Sequence, residues 1–273
     1  MRLMITGAAG LVGSALAEAW RSHEVFALRH DDLDITSRDA VDRTVVALHP
    51  DVIFNCAVIG VDECETDPAL AERVNVIGPE YLASAAQRTG AAMVHFSSNY
   101  VFGNERRSGI AYAAEDEARP VNVYGVTKLA GERAVSAAAE RAFVVRTSWV
   151  FGERKASFLS TVAARLARGE RVQAISDTFC SSTYVVDLVS RVQEVLERAT
   201  PGVYQIVNAG VCSYLDFARE AARLVGASED LIDVVTEESL GRIAPRPRWT
   251  PMQCLPPMRS WQEALAAYVG SKK

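Results

Sequence analysis

No apolar stretch in the chain approaches the roughly 20 residues that a membrane-spanning helix needs, so no membrane span and no membrane partner are expected. Metal-ligand spacing is missing too. The four histidines, His23, His30, His49 and His95, are scattered, and no metal site is expected. Cys56, Cys64, Cys180, Cys212 and Cys254 form no CxxC pair, and Cys56 lies inside an apolar run, which reads as reduced thiols in a cytoplasmic protein. Neither sign of charge dominates. The 29 basic and 34 acidic residues leave −5 with no long run of either, which argues against a nucleic-acid surface. Internal repeats, low-complexity tracts and flexible linkers are equally absent. Met1 to Ile5 runs straight into a glycine-rich loop that has to be retained, which argues against a cleaved leader.

With 273 residues, 49% of them hydrophobic, the chain can bury a sizeable core, in one large α/β domain or one domain with a small appendix. Short apolar runs alternate with longer helical patterns, the rhythm of a parallel sheet covered on both faces. Strands are expected at Arg2–Thr6, Val25–Leu28, Asp51–Cys56, Ala92–Ser97 and Phe143–Thr147. Between them lie helical patterns at Gly13–Ser22, from a Ser37 cap to Leu48, and over Asp67–Arg88 with an interruption near Gly78-Pro79. Glu105–Pro120 reads as a polar loop and Val123–Glu140 as a long Ala-rich helix. After Phe151-Gly152 the rhythm is less regular, with helices over Ser157–Arg168 and Tyr184–Arg198 and strands at Val172–Ile175 and Val203–Val207. Ser213 and Asp216 form a capping pair for a helix to about Val225, and a last helix starts near Ser260.

Thr6-Gly7-Ala8-Ala9-Gly10-Leu11-Val12-Gly13 ends the first strand and opens the first helix, the place where a dinucleotide pyrophosphate meets free backbone N–H groups. The spacing is GxxGxxG rather than GxGxxG, and the bland alternative is a glycine-rich turn without a ligand. Gly7, Ala9, Gly10, Leu11 and Val12 are the residues expected on the cofactor. The second strand ends Leu28-Arg29-His30 before Asp31-Asp32. An Arg there suits the 2′-phosphate, so NADP(H) is favoured over NAD(H); in the alternative Arg29 is solvated and Asp31 or Asp32 takes the ribose. Asp34 and Ile35 are expected near the adenine.

Tyr124-Gly125-Val126-Thr127-Lys128 puts a phenol and an ammonium four residues apart, on one face if helical. A cation near a phenol favours the phenolate left after proton donation, which suits ketone–alcohol redox chemistry. A Tyr on an Ala-rich helix is more often packing, and a Lys four residues on more often solvated; the glycine loop reverses that balance.

These blocks resemble the extended short-chain dehydrogenase/reductase family and, within it, the dTDP-4-dehydrorhamnose reductases. The resemblance runs over most of the length, through Met4–Gly13, Asp32–Thr36, Pro50–Ala57, Val61–Glu65 and Ser97–Phe102, and is most specific in Pro120–Glu132 and Arg146–Gly152. It implies an α/β fold, a Rossmann-type doubly wound parallel sheet with a small C-terminal substrate-binding lobe. The nucleotide domain would take residues 1–151 and about 171–208, the lobe about 152–170 and 209–273. By the same resemblance Tyr124 is the general acid, Lys128 binds the nicotinamide ribose and lowers the Tyr124 pKa, and Ser98 hydrogen-bonds the substrate carbonyl where relatives carry a Thr. Ala57 would line the cofactor channel. Val61, Asp62 and Asn99 would lie on the substrate side, while Thr147 to Trp149 would lie beside the nicotinamide and the sugar. Trp149 reads either as core or as a sugar contact, and Arg146 as structural.

Three segments depart from the family pattern: Asn99 in place of an acid, Asp177–Thr183 without its glycine and proline, and Arg248-Trp249-Thr250 after Arg246-Pro247. All three would contact the sugar nucleotide, so the reaction type is better specified than the substrate. The expected function is NADPH-dependent reduction of a 4-keto-6-deoxy sugar nucleotide, with dTDP-4-dehydro-L-rhamnose as default. Two rivals stand beside it: an epimerase or dehydratase that holds NAD tightly, and a non-catalytic regulatory subunit similar to the methionine adenosyltransferase β subunit. Members of the superfamily often dimerise through helices flanking the sheet, so a homodimer is expected by analogy. If Arg29 grips a 2′-phosphate, Arg29→Ala should raise the KM for NADPH relative to that for NADH; an unchanged ratio removes Arg29 from cofactor choice.

Overall fold

In the computed structural model, which describes residues 1–103, 109–154 and 156–272, strand and helix alternate from the first residues onward. The order opens β1 (Arg2–Thr6), α1 (Leu11–Ala19), β2 (Glu24–Leu28), α2 (Arg38–Leu48) and β3 (Val52–Asn55). It continues α3 (Val61–Thr66), α4 (Pro68–Glu72), a π-helical turn (Arg73–Ile77), α5 (Gly78–Thr89), β4 (Ala92–Ser98) and a 3₁₀ turn (Asn99–Val101). Then come α6 (Val123–Ala138), β5 (Ala142–Thr147), β6 (Val150–Phe151), α7 (Phe158–Ala167), β7 (Val172–Ile175), β8 (Phe179–Cys180), β9 (Thr183–Tyr184) and α8 (Val185–Arg198). The chain finishes through β10 (Gly202–Gln205), β11 (Cys212–Ser213), α9 (Tyr214–Val225), β12 (Ile232–Val235) and α10 (Trp261–Gly270). The loop expected over 105–120 falls partly outside the described residues.

Six strands form one parallel sheet in the order β10-β5-β4-β3-β1-β2. Every residue of β3, β4 and β5 is buried, because helices cover both faces. The period of two sorts their side chains. Leu3, Ile5, Phe54 and Val94 join the core under α1, α7 and α8, whereas Met4, Ile53 and Met93 join the core under α2 and α5. The doubly wound sheet is therefore as expected. Val172–Ile175 pairs in parallel with Ile232–Val235, outside the six strands, and packs with α7 and α9. That strand, within the span assigned by sequence to the nucleotide domain, hydrogen-bonds with the C-terminal part of the chain. Among the described residues no helix is long and apolar enough to cross a membrane, and all five cysteines are free thiols.

Local signals explain the helix boundaries. Ser37, Ser157, Ser213 and Ser260 each accept a first-turn N–H, and Gly90 and Gly226 end α5 and α9 in the left-handed conformation. The interruption expected near Gly78-Pro79 is present, immediately before that pair. The backbone widens into the π turn at Arg73–Ile77, and Gly78-Pro79 form the first turn of α5, where proline's missing N–H costs nothing. A Cβ on Gly78 would meet the Ile35 side chain at 2.8 Å, so the glycine serves packing rather than a break.

The π turn lies against α6, and a Cβ on Gly131 would fall 2.2 Å from the Asn75 carbonyl oxygen. Gly→Ala in a helix ordinarily stabilises by about 1 kcal/mol. Here Gly131→Ala should lower the unfolding free energy by about 1–3 kcal/mol in urea titration, because backbone has to retreat. A neutral or stabilising result would contradict the close approach.

Candidate active site

The C-terminal ends of β3, β4 and β5 and the N-termini of α1 and α6 surround a cavity of about 390 Å³. It brings together Gly10, Leu11 and Val12 of the loop with Ser98, Asn99 and Tyr124. Val61, Thr147 and Trp149 complete its wall among the residues expected from sequence.

At the loop end, α1 has Gly10 as its N-cap and no side chain capping it, which leaves first-turn N–H groups to face the cavity. Gly7 has φ +66°, and a Cβ there would stand 2.6 Å from the Ala57 nitrogen; a Cβ on Gly13 would stand 2.5 Å from the Gly7 oxygen. The loop is thus pressed between β3 and its own helix, and its shape suits a pyrophosphate at a helix N-terminus. Further in, the Thr147 hydroxyl is buried without a partner, a polar atom that a bound ligand would satisfy. These features fit a dinucleotide. Arg29 is exposed at the end of β2 beside the loop, with no ion-pair partner among the described residues. Asp32 is turned back to accept the Arg29 N–H at 2.9 Å. Asp34 accepts from the Thr36 N–H and hydroxyl, which hold its carboxyl below the usual range. Ile35 is buried against α5.

At the reaction end, Asn122 caps α6 by accepting the Gly125 N–H at 2.8 Å. A Cβ on Gly125 would lie 2.1 Å from the Tyr100 carbonyl oxygen, so the start of α6 sits directly on the Asn99–Val101 turn. That contact carries Tyr124 to Ser98. The Tyr100 and Tyr124 rings meet edge to face at 5.8 Å. The Ser98 Oγ accepts the Tyr100 N–H at 3.2 Å and donates to Asn99 Oδ1 at 3.2 Å. Burial pushes the Tyr124 phenol up to about 12, against the opposing influence of the neighbouring Ser98 hydroxyl. Burial dominates, and the phenol rests protonated. The ammonium is directed elsewhere. Lys128 Nζ donates to the Phe96 carbonyl at 2.6 Å and lies 3.4 Å from His95 Nε2. Burial pulls Lys128 down to about 8, opposed by Glu132 and weakly by Cys56 and Cys64.

The Asp62 side chain stays 42% exposed. It pairs with Arg246 at 2.7 Å and accepts the Ala244 N–H, tying the C-terminal segment to α3. The three segments that depart from the family pattern touch one another. Asn99 Nδ2 donates to Thr250 Oγ1 at 2.7 Å, the Thr250 N–H to the Phe179 carbonyl at 3.0 Å, and the Phe179 N–H to the Arg248 carbonyl at 2.8 Å. Trp149 adopts φ +40° and packs on Tyr214, ring centroids 3.9 Å apart. Arg146 forms a buried pair with Glu132 at 2.7 Å. Sequence reasoning missed Tyr100, Phe158 and Tyr214 in the cavity wall, and missed Asn55 and His95 behind Lys128. For the last two a signal existed: Asn55 ends the apolar run of β3, and His95 breaks the apolar run Ala92–Phe96 of β4.

Residues 1–272 match the family model described as the RmlD substrate binding domain. The chain is 41% identical to the dTDP-4-dehydrorhamnose reductase of Mycolicibacterium smegmatis, over 99% of its own length and 86% of that protein's. It is 36% identical to a probable dTDP-4,6-dihydroxy-2-methyloxan-3-one 4-ketoreductase of Streptomyces antibioticus, over 97% and 93%. Among solved structures, the dTDP-4-dehydrorhamnose reductase of Bacillus anthracis in complex with NADP superposes with a TM-score of 0.92 at 31% identity, covering 99% of both chains.

The depressed Lys128 pKa makes a stability prediction. Between about pH 8 and 10.5 the unfolded chain keeps a proton on residue 128 that the folded chain has released. The group's contribution to stability is lowest below that window and rises with pH across it. The stability of the parent relative to Lys128→Met should therefore climb by up to about 3 kcal/mol from pH 8 to 10.5 in paired denaturant titrations. A constant difference would contradict the depressed value.

Proposed function

The chain belongs to the RmlD substrate-binding-domain family, and from that premise we propose that it is an NAD(P)H-dependent reductase of a 4-keto-6-deoxy sugar nucleotide. The default conversion is dTDP-4-dehydro-L-rhamnose to dTDP-L-rhamnose. The named relatives support the reductase and neither the epimerase nor the regulatory-subunit alternative. The observation that carries the reading is the meeting of Ser98 and Tyr124 in one cavity with the open N-terminus of α1.

In this reading the N–H groups at the start of α1, with Gly7, Ala9, Gly10, Leu11 and Val12, hold the pyrophosphate. Ala57 flanks the channel, Lys128 engages the nicotinamide ribose, and Asp34 and Ile35 border the adenosine. The exposed Arg29 favours NADPH over NADH. The bound dinucleotide supplies hydride to the ketone carbon. Ser98 donates a hydrogen bond to the carbonyl oxygen and holds it toward Tyr124. The phenol, protonated at neutral pH, gives its proton as negative charge develops on that oxygen. Val61, Asn99 and Trp149 border the sugar, and Asp62 acts through Arg246 by holding the C-terminal segment over the site. We place residues 1–151 with the cofactor and the C-terminal elements with the sugar nucleotide. A cytoplasmic homodimer is the proposed setting, and light scattering at the mass of a single chain would count against it.

Tyr124→Phe should reduce kcat by about 10²–10⁴-fold while leaving NADPH binding intact. NADPH oxidation against a panel of nucleotide-linked 4-keto sugars checks both halves. Consumption with one sugar identifies the substrate. Unchanged turnover in Tyr124→Phe would reject the assignment of the proton donor.

A further inference from the structure

The parallel register sets Thr6 beside Asn55 and Asn55 beside His95, one polar row across β1, β3 and β4 on the face covered by α6. Lys128 reaches the end of that row from α6. Thr6 and Lys128 are each 2% exposed, Asn55 1% and His95 0%, so donors and acceptors have to match without help from bulk water.

One backbone group settles the assignment. The Ala57 N–H can only donate, and it meets Asn55 Oδ1 at 3.2 Å. The same oxygen takes the Thr6 hydroxyl at 2.8 Å. Asn55 Nδ2 is thereby turned to His95 Nδ1, 3.1 Å away. An amide nitrogen donates and does not accept, so His95 Nδ1 has to be the unprotonated nitrogen. The ring is neutral, since burial and the nearby Lys128 hold its pKa well below the ordinary histidine value. Its single proton therefore sits on Nε2 and points at Lys128 Nζ, 3.4 Å away. An ammonium has three donors and no lone pair, and cannot accept that proton. A neutral amine can accept it while still donating to the Phe96 carbonyl.

We propose that His95, locked in the Nε2–H form by Asn55, is a positioning residue that biases Lys128 toward its neutral amine and so sets the alkaline limit of the reaction. The other groups facing Lys128 do not supply this control. Glu132, on the same helix, is occupied by Arg146 and by the Ser97 hydroxyl at 2.5 Å. Cys56, beyond β3, and Cys64, on α3, are both raised by burial and stay neutral thiols. The Ala57 nitrogen that orients Asn55 also lies against Gly7, so the row connects the dinucleotide loop to Lys128.

The inference deepens the reductase reading and rests on it, but its test does not need turnover. In the full chain labelled with ¹⁵N-histidine, long-range ¹H–¹⁵N spectra should show His95 protonated at Nε2, bare at Nδ1, and untitrated from about pH 6 to 9. His95→Gln places a carboxamide whose oxygen can turn to Lys128. It should move the Lys128 titration, followed by its ¹³Cε shift, upward by about one pH unit. The alkaline limb of kcat/KM should move with it, whereas a merely structural role would lower kcat at every pH and leave the limb in place. An Nδ1–H tautomer, or a Lys128 titration unmoved in His95→Gln, overturns the proposal. If His95→Gln does not fold, the tautomer in the parent decides. Absence of turnover by the parent on every keto sugar would instead reject the reductase reading and leave both NMR results readable.

Discussion

A lysine buried to 2% exposure beneath the middle of a helix is a constraint that the surrounding structure has to meet. An unpaired ammonium in so dry a place would cost several kcal/mol, so Lys128 is given a carbonyl, an imidazole and a lowered pKa instead. For Nζ to reach the Phe96 carbonyl, α6 has to lie close on β4. Gly125 against the Tyr100 carbonyl and Gly131 against the Asn75 carbonyl allow that approach. The π turn before α5 answers the same need: it carries Asn75, whose amide donates to Thr127 next to the lysine.

The chemistry and the choice of sugar are built differently. Ser98, Tyr124 and Lys128 stand on β4 and α6, elements locked into the central layers of the molecule. Around Asn99 of the cavity wall, pieces far apart in the chain are joined: Asn99 to Thr250 and Thr250 to Phe179, while Asp62 of α3 is joined to Arg246. A change in any one of these pieces alters the partners of the others. In the proposed reading, that coupling gives a physical reason for the three departures expected from the family pattern to occur together, and for the proposed proton donor to remain beside them.

Much of this was legible in the residues. Each short run expected as a strand in the first 150 residues became one, because strands of a covered parallel sheet read as short, nearly continuous apolar runs. The serine caps marked helix starts because a hydroxyl at that position satisfies a specific N–H. Tyr124 and Lys128 were legible as a pair because four residues of helix put them on one face. The Gly78-Pro79 pair did mark the neighbourhood of the π turn, although a glycine required for packing against Ile35 looks the same in sequence as one required for a break. Spacing along a helix says which groups are neighbours, but not which of them is buried or where an ammonium points.

The chain's own order of residues was enough for the alternation of strand and helix, the glycine loop and the Tyr/Lys couple, because each depends on groups within a few positions of one another. Folding was needed for the rest. Thr6, Asn55, His95 and Lys128 are separated by 49, 40 and 33 positions and become one hydrogen-bonded row only through strand register and the seating of α6. Protonation states belong to the same class, since they follow from burial and from the direction of each neighbour's donor, quantities that exist only once the layers have closed.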